Sequence, residues 1–218
     1  MKACIFDLDG TLTDSVKSLA YSVNLTLKDL GYKPQPEECF KQFAGDGRIV
    51  LLERALRAAG DIELIHIEEA IQIYDEYFSK NSMYQVKPYD GIAQTLAALR
   101  KRGTKLAVLS NKADKEAVKV VETVFGKDMF QIIRGQQEKI PRKPDPKGAI
   151  LIAQDLNVLC NECLYIGDTD TDMKTGNRAG MNTVGVTWGF RERKELEENH
   201  AKYIIEHPKE LLVLQQEL

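Results

Sequence analysis

The sequence predicts an α/β fold: a doubly wound, mostly parallel sheet with an all-helical insertion after its first strand. Three observations carry that prediction. The apolar run Lys2–Phe6 ends abruptly in Asp7-Leu8-Asp9-Gly10-Thr11, as a buried strand entering a tight turn does. From about Ser15 to Ser82 the apolar residues recur at helical steps, with few β-branched runs. After Pro88 short apolar runs alternate with helical stripes, the order that βαβ units and a parallel sheet require.

Within the insertion, Val16, Leu19, Ala20, Val23 and Leu27 make one helix face. Ile49, Leu52 and Leu56 make a second, and Ile67, Ala70, Ile71, Tyr74 and Phe78 a third. Pro34 and Pro36 separate the first two, and Gly60-Asp61 separates the last two. Further along, Ile92, Leu96 and Leu99 form a stripe that stops near Gly103. Strands are expected at Lys105–Leu109, Met129–Arg134, Cys163–Ile166, Thr183–Val186 and Tyr203–Ile205. Helices are expected at Ala113–Val124, Ala149–Leu156 and Thr171–Ala179, with a last one begun by Pro208. The hinges fall at Thr13–Ser15 and Val86–Pro88. Residues 1–14 and 87–218 then form a Rossmann-like core, and residues 15–86 a helical insert.

Length and composition narrow the function. A chain of 218 residues makes one large domain, or one domain carrying an insertion. Hydrophobic residues at 43% and charged residues at 29% are ordinary for a globular core and exclude disorder. Thirty basic against 33 acidic side chains give a net charge of −3, which argues against a nucleic-acid partner. No run of 18 apolar residues occurs, so no membrane span is expected. The first residues carry one lysine and an apolar run broken by Asp7 and Asp9, unlike a signal peptide. Four cysteines without an export signal read as reduced thiols of a cytoplasmic protein.

In open α/β sheets ligands bind beyond the carboxyl ends of the strands. There the sequence places Asp7 and Asp9, Ser110 and Asn111, and Gly167-Asp168, with Lys143 on a nearby loop. Asp172, four residues after Asp168, falls in the first turn of a helix, where its charge meets the positive end of the dipole. Four carboxylates against one lysine repel each other unless a cation joins them or a proton is shared. Hard oxygen ligands of this kind suit Mg²⁺, and Mg²⁺ beside a lysine suits a substrate phosphate.

These residues resemble the haloacid dehalogenase-like (HAD) superfamily of phosphotransferases. Asp7-Leu8-Asp9-Gly10-Thr11-Leu12 is similar to its first motif, Ser110-Asn111 to the second, Lys143 to the third, and Gly167-Asp168-Thr169-Asp170-Thr171-Asp172 to the fourth. All four stand in the expected order, with Gly176 and Ala179-Gly180-Met181 following, and the likeness covers essentially the whole chain. The resemblance implies that Asp7 is the nucleophile that forms an aspartyl-phosphate. It implies that Asp9 protonates the leaving group and then activates water. Asp7, the Asp9 carbonyl and Asp168 would hold Mg²⁺, with Asp172 binding directly or through water. Ser110, Asn111 and Lys143 would bind the phosphoryl oxygens.

The same resemblance makes residues 15–86 a C1-type helical cap domain that closes over the site and selects the leaving group. Phe43-Ala44-Gly45-Asp46-Gly47-Arg48 and the residues after it resemble the phosphoglycolate phosphatase-like subgroup. Gly45 and Gly47 would let backbone amides approach a small anionic substrate, and Arg48 would grip its carboxylate. The expected function is thus a Mg²⁺-dependent phosphatase of a small phosphorylated metabolite, 2-phosphoglycolate first. A β-phosphoglucomutase-like mutase, a pyrophosphatase or nucleotidase of the same superfamily, and a non-catalytic phosphate-binding regulator are the alternatives. Asp9 argues against a dehalogenase. Monomer and homodimer fit the sequence equally.

Other polar residues read as structural. Asp14 and Asp145 shape loops, and Asp170 takes a surface or turn position. Cys160-Asn161-Glu162-Cys163 lacks the second ligand pair of a zinc site. His66, His200 and His207 are expected in solvent, Trp188 in packing, and Arg191–Glu195 on a solvated surface. No GxGxxG follows the first strand and no Walker lysine occurs, which leaves nucleotide binding of those kinds without support.

Overall fold

The computed structural model describes residues 1–217. The chain opens with β1 (Ala3–Phe6) and the short strand β2 (Thr13–Asp14). Four helices follow: α1 (Val16–Asp29), α2 (Phe40–Phe43), α3 (Arg48–Ala59) and α4 (Ile67–Asn81). Strand β3 (Lys87–Pro88) precedes α5 (Ile92–Lys101), β4 (Lys105–Ala113), α6 (Asp114–Phe125) and β5 (Ile132–Gln136). Then come α7 (Lys147–Asp155), β6 (Cys163–Gly167), α8 (Asp170–Arg178) and β7 (Asn182–Val186), followed by α9 (Arg193–Glu198), β8 (Tyr203–Ile205) and α10 (Leu211–Glu217).

Contacts divide the chain into two compact units, one of Met1–Thr13 with the residues from Pro88 onward, the other Asp14–Lys87. Strands β2 and β3, which carry the two crossings, pair in a small sheet of their own. The first unit holds a six-stranded sheet in the order β5-β4-β1-β6-β7-β8, with every pairing parallel. From β1 the chain winds outward through β4 to β5, returns to β6, and winds the other way through β7 to β8. The reversal lies beside β1, so the carboxyl ends of β4, β1 and β6 meet at the switch point where such sheets bind ligands.

Parallel strands covered on both faces need apolar residues throughout, and β1 is fully buried along its length. Alternation sends Ala3 and Ile5, Ala107 and Leu109, and Cys163 and Tyr165 to one face. There Ala149, Ile152 and Ala153 of α7 pack against them. Phe6 meets Phe130 edge to face at 6.3 Å between ring centroids.

In the second unit, α1 buries Val16, Leu19, Ala20, Val23 and Leu27, the stripe the periodicity predicts. Its buried hydroxyls are satisfied within the helix: Ser22 donates to the Ser18 carbonyl at 2.9 Å and Thr26 to that of Ser22 at 3.0 Å. Helices α3 and α4 keep most of their stripes, burying Leu52 and Leu56, and Ala70, Tyr74 and Phe78, but Ile49 in the first turn of α3 is exposed, and Ile67 and Ile71 are only half-buried. Helix α2 is unforeseen because four residues are too short to show a period.

Boundaries shift where polar residues continue an element. Strand β4 runs on through Ser110, Asn111 and Lys112 to Ala113, past the expected end at Leu109, with an irregular register against β5 over that stretch. Strand β5 lies two to three residues later than expected, and Phe130 is a core residue ahead of it. All four cysteines are free thiols. No helix among the described residues is long and apolar enough to cross a membrane.

Candidate active site

Strand β1 delivers Asp7 at its carboxyl end, held by its own N–H to the Ile166 carbonyl at 2.9 Å. The Asp7 carboxylate accepts from the Leu8 N–H at 2.7 Å and lies 2.8 Å from the Lys143 ammonium. Lys143 bridges a second carboxylate, Asp172, also at 2.8 Å. Asp172 is the third residue of α8 and completes a reciprocal cap with Thr169. It accepts from the Thr169 hydroxyl at 2.7 Å and N–H at 3.2 Å, while its own N–H turns back to the Thr169 oxygen.

Asp168 follows β6 directly and is fixed from both sides. The Thr11 hydroxyl donates to one of its oxygens at 2.7 Å, and the Phe190 N–H to the other at 2.8 Å. Two glycines make this approach feasible. Gly10 has φ +88° and no room for a side chain, since a Cβ there falls 2.2 Å from an Asp168 oxygen. A Cβ on Gly189 falls 2.4 Å from both the Asp168 Cβ and the Gly10 carbonyl oxygen.

Strand β4 brings the remaining groups. Ser110 is buried, and its hydroxyl accepts the Lys112 N–H at 3.2 Å. Asn111 grips the backbone of Lys143 reciprocally, accepting its N–H at 2.9 Å and donating to its carbonyl at 3.2 Å. Lys112 reaches Asp9, its ammonium 3.0 and 2.8 Å from the two carboxylate oxygens.

The electrostatics follow from crowding. Carboxylate oxygens of Asp7, Asp168 and Asp172 lie within 4.8 Å of one another, and all three residues are buried. Burial, then repulsion from Asp172 and Asp168, pushes the Asp7 carboxyl well above its ordinary range against the pull of Lys143. Burial and Asp172 push Asp168 up to about 7, although the Phe190 N–H and Thr11 hydroxyl oppose them. Burial works against the charge of Lys143, but Asp172 and Asp7 overcome it and hold its ammonium well above its usual value. Three converging hard oxygen donors against one ammonium form a donor set that fits a divalent cation such as Mg²⁺.

The structure therefore gathers Asp7, Asp9, Ser110, Asn111, Lys143, Asp168 and Asp172 on one edge of the sheet. Gly45, Gly47 and Arg48 belong to the second unit. Both glycines have positive φ, Gly47 precedes α3, and Arg48 pairs with Asp75 at 3.0 Å. The Asp46 between the glycines is held by Arg54 at 2.6 Å.

Several residues depart from their expected surroundings. Arg191 is buried, not solvated, and its Nε lies 3.1 Å from Glu195. His66 is not simply solvated, its Nδ1 lying 2.8 Å from the Tyr32 hydroxyl. Trp188 donates from its indole to the Thr11 carbonyl at 3.0 Å, which ties the loop carrying Gly189 and Phe190 to the loop after β1. Asp170 begins α8 and pairs with Lys174 one turn on, as a helix-start position would.

The family model of haloacid dehalogenase-like hydrolases matches residues 4–186, and the chain belongs to that family. A phosphoglycolate phosphatase of Aquifex aeolicus is 33% identical over 190 residues, covering 87% of this chain and 86% of that one. The crystal structure of a predicted phosphoglycolate phosphatase from Haemophilus somnus superposes with a TM-score of 0.91 at 26% identity, over 99% of this chain and 98% of the other. A β-phosphoglucomutase of Clostridium difficile shares the fold, with a TM-score of 0.75 at 21% identity over 99% and 96% of the two chains.

Proposed function

We propose that this hydrolase is a Mg²⁺-dependent phosphatase that cleaves a small phosphate monoester, 2-phosphoglycolate first, through an aspartyl-phosphate on Asp7. One observation carries the reading: the Lys143 ammonium bridges Asp7 and Asp172 at 2.8 Å each, beside Asp168, at the switch point of the sheet. A nucleophilic carboxylate set beside a fixed cation is what in-line phosphoryl transfer needs. The relatives named phosphoglycolate phosphatase support the substrate class.

In the first half, an Asp7 carboxylate oxygen attacks phosphorus and the ester P–O bond breaks. Asp9 gives its proton to the departing alkoxide. In the second half, Asp9 takes a proton from water, whose oxygen attacks phosphorus, and Asp7 leaves as a carboxylate with release of phosphate. Lys143 and the Ser110 hydroxyl face the phosphoryl oxygens, where transition-state charge spreads, and Asn111 keeps Lys143 in place. Bound by Asp7, Asp168 and the Asp9 carbonyl, with Asp172 beside it, Mg²⁺ would supply positive charge against the phosphoryl oxygens. The unit Asp14–Lys87 serves as a cap that selects the leaving group, with Gly45, Gly47 and Arg48 offered to an acidic substrate.

The test is phosphate release from 2-phosphoglycolate, hexose monophosphates, nucleoside monophosphates and pyrophosphate, with Mg²⁺ and with chelator. Mg²⁺-dependent release that Asp7→Asn abolishes is expected, with the highest kcat/KM on 2-phosphoglycolate. Interconversion of hexose phosphates without net release, or no turnover of any ester, overturns the reading.

A further inference from the structure

We infer that Lys112 is the positioning residue that orients the Asp9 carboxyl for both of its proton transfers. The inference rests on the phosphatase reading above and adds a residue to it. The Lys112 side chain is only 4% exposed, and its ammonium contacts both Asp9 oxygens, at 3.0 and 2.8 Å. That contact follows from topology. Strand β4 lies beside β1, with Val108 level with Phe6, and beyond that pair Lys112 reaches Asp9. Lys112 lies two residues beyond Ser110 in β4.

The cations of the site thus divide their work. Lys143 lies on the nucleophile Asp7 and on Asp172, while Lys112 lies on Asp9. Asp9 stands on a loop, so its side chain needs an external constraint to present one oxygen to the leaving group and later to water. An ammonium supplies it in both halves, because it donates to a protonated carboxyl as well as to a carboxylate. A displacement of about 1 Å in a reacting group costs about 10²-fold in rate.

Leaving-group dependence tests this. Lys112→Met keeps the length of the stem and removes the grip, and Lys112→Arg restores a cation with two donors. Each is compared with wild type on 2-phosphoglycolate, whose alkoxide needs a proton, and on p-nitrophenyl phosphate, whose phenolate does not. For Lys112→Met, kcat on the alkyl ester should fall about 10²-fold. On the aryl ester, rapid mixing should show a burst of nitrophenolate close to one per site, followed by slow turnover as the aspartyl-phosphate waits for its base. Lys112→Arg should recover part of the loss on the alkyl ester. Should the methionine variant fail to fold, the arginine variant read by the same two esters decides the matter, with a larger deficit on the alkyl ester expected.

Equal losses on both esters without a burst would overturn the assignment. So would a rise in KM for the acidic ester alone at unchanged kcat, which would place Lys112 on the substrate's carboxylate. A wild-type protein that turns over no ester of the wider panel overturns the phosphatase reading, and the assignment with it.

Discussion

Asn111 shows how a single amide shapes the site. Its side chain serves as a two-point clamp on the Lys143 backbone, 32 residues away, and so fixes the loop from which the lysine reaches Asp7 and Asp172. Asn111→Ala leaves a buried N–H and a buried carbonyl without that partner, each costing about 1–3 kcal/mol. Urea denaturation should show a loss of about 2–6 kcal/mol for the two groups together, and kcat should fall with it because Lys143 loses its register. Asn111→Asp keeps the acceptor for the Lys143 N–H but sets a buried carboxylate oxygen against the Lys143 carbonyl, and should lose at least as much stability. Equal stability for alanine and wild type would remove Asn111 from this role. Asp7 and Asp168 were legible as polar residues where apolar runs end, Asp172 as an acid in the first turn of a helix, and Lys143 as a lysine on a nearby loop. Lys112 was not, because it fell between an expected strand end at Leu109 and an expected helix start at Ala113. A lysine two positions beyond Ser110 was the available signal.

At the scale of elements, short loops are pinned by a few buried polar contacts. The loop after β7 is held by the Trp188 indole, the Phe190 N–H and the close approach of Gly189 to Asp168. Gly189→Ala forces a methyl against backbone, which cannot swing aside as a flexible side chain can. A loss of about 1–3 kcal/mol is expected, with weaker Mg²⁺ activation, and both are measurable on one preparation. This loop was unreadable from sequence because its partner, Thr11, lies 177 residues away. The helical stripes of α1, α3 and α4 were readable, since periodicity is a local property. In the second unit, Asp61 pins the turn before α4 by accepting the N–H groups of Ile65 at 2.9 Å and His66 at 3.0 Å. Desolvation would raise its carboxyl, but those amides and the His66 ring prevail and hold it below the usual carboxylate range. A depressed folded value means stability that is present above the unfolded pKa and is lost as pH falls through the folded one. Thermal unfolding of wild type should therefore weaken below about pH 4. Asp61→Asn should be less stable at neutral pH and should lack this contribution to the acid limb.

On the scale of the whole molecule, the site exists only when distant parts of the chain are folded together. Asp7 comes from the end of β1, Lys143 from the loop before α7, Asp168 from the turn after β6, and Asp172 from the first turn of α8. The two ends of the chain are tied as well, the Met1 amine to the Gln215 carbonyl at 3.0 Å and the Gln215 amide to the Met1 carbonyl at 3.1 Å. Parallel winding was legible from the alternation of runs, whereas strand order was not, because pairing partners are set by long-range burial. A cation held by three such carboxylates binds the native state and has no equivalent site in the unfolded chain. Occupancy must then stabilise the entire core unit by mass action, about 2.7 kcal/mol at a hundredfold excess over Kd. For a domain of this size that corresponds to a rise in Tm of roughly 5–10 °C. The measurement is thermal unfolding in chelator and in excess Mg²⁺, for wild type and for Asp168→Asn. Wild type should show the rise, and the variant should show little of it, since one buried donor has lost its charge while keeping its shape. A wild type indifferent to Mg²⁺ would mean that the crowded carboxylates are relieved by shared protons, and the metal would then have no place in the reaction proposed.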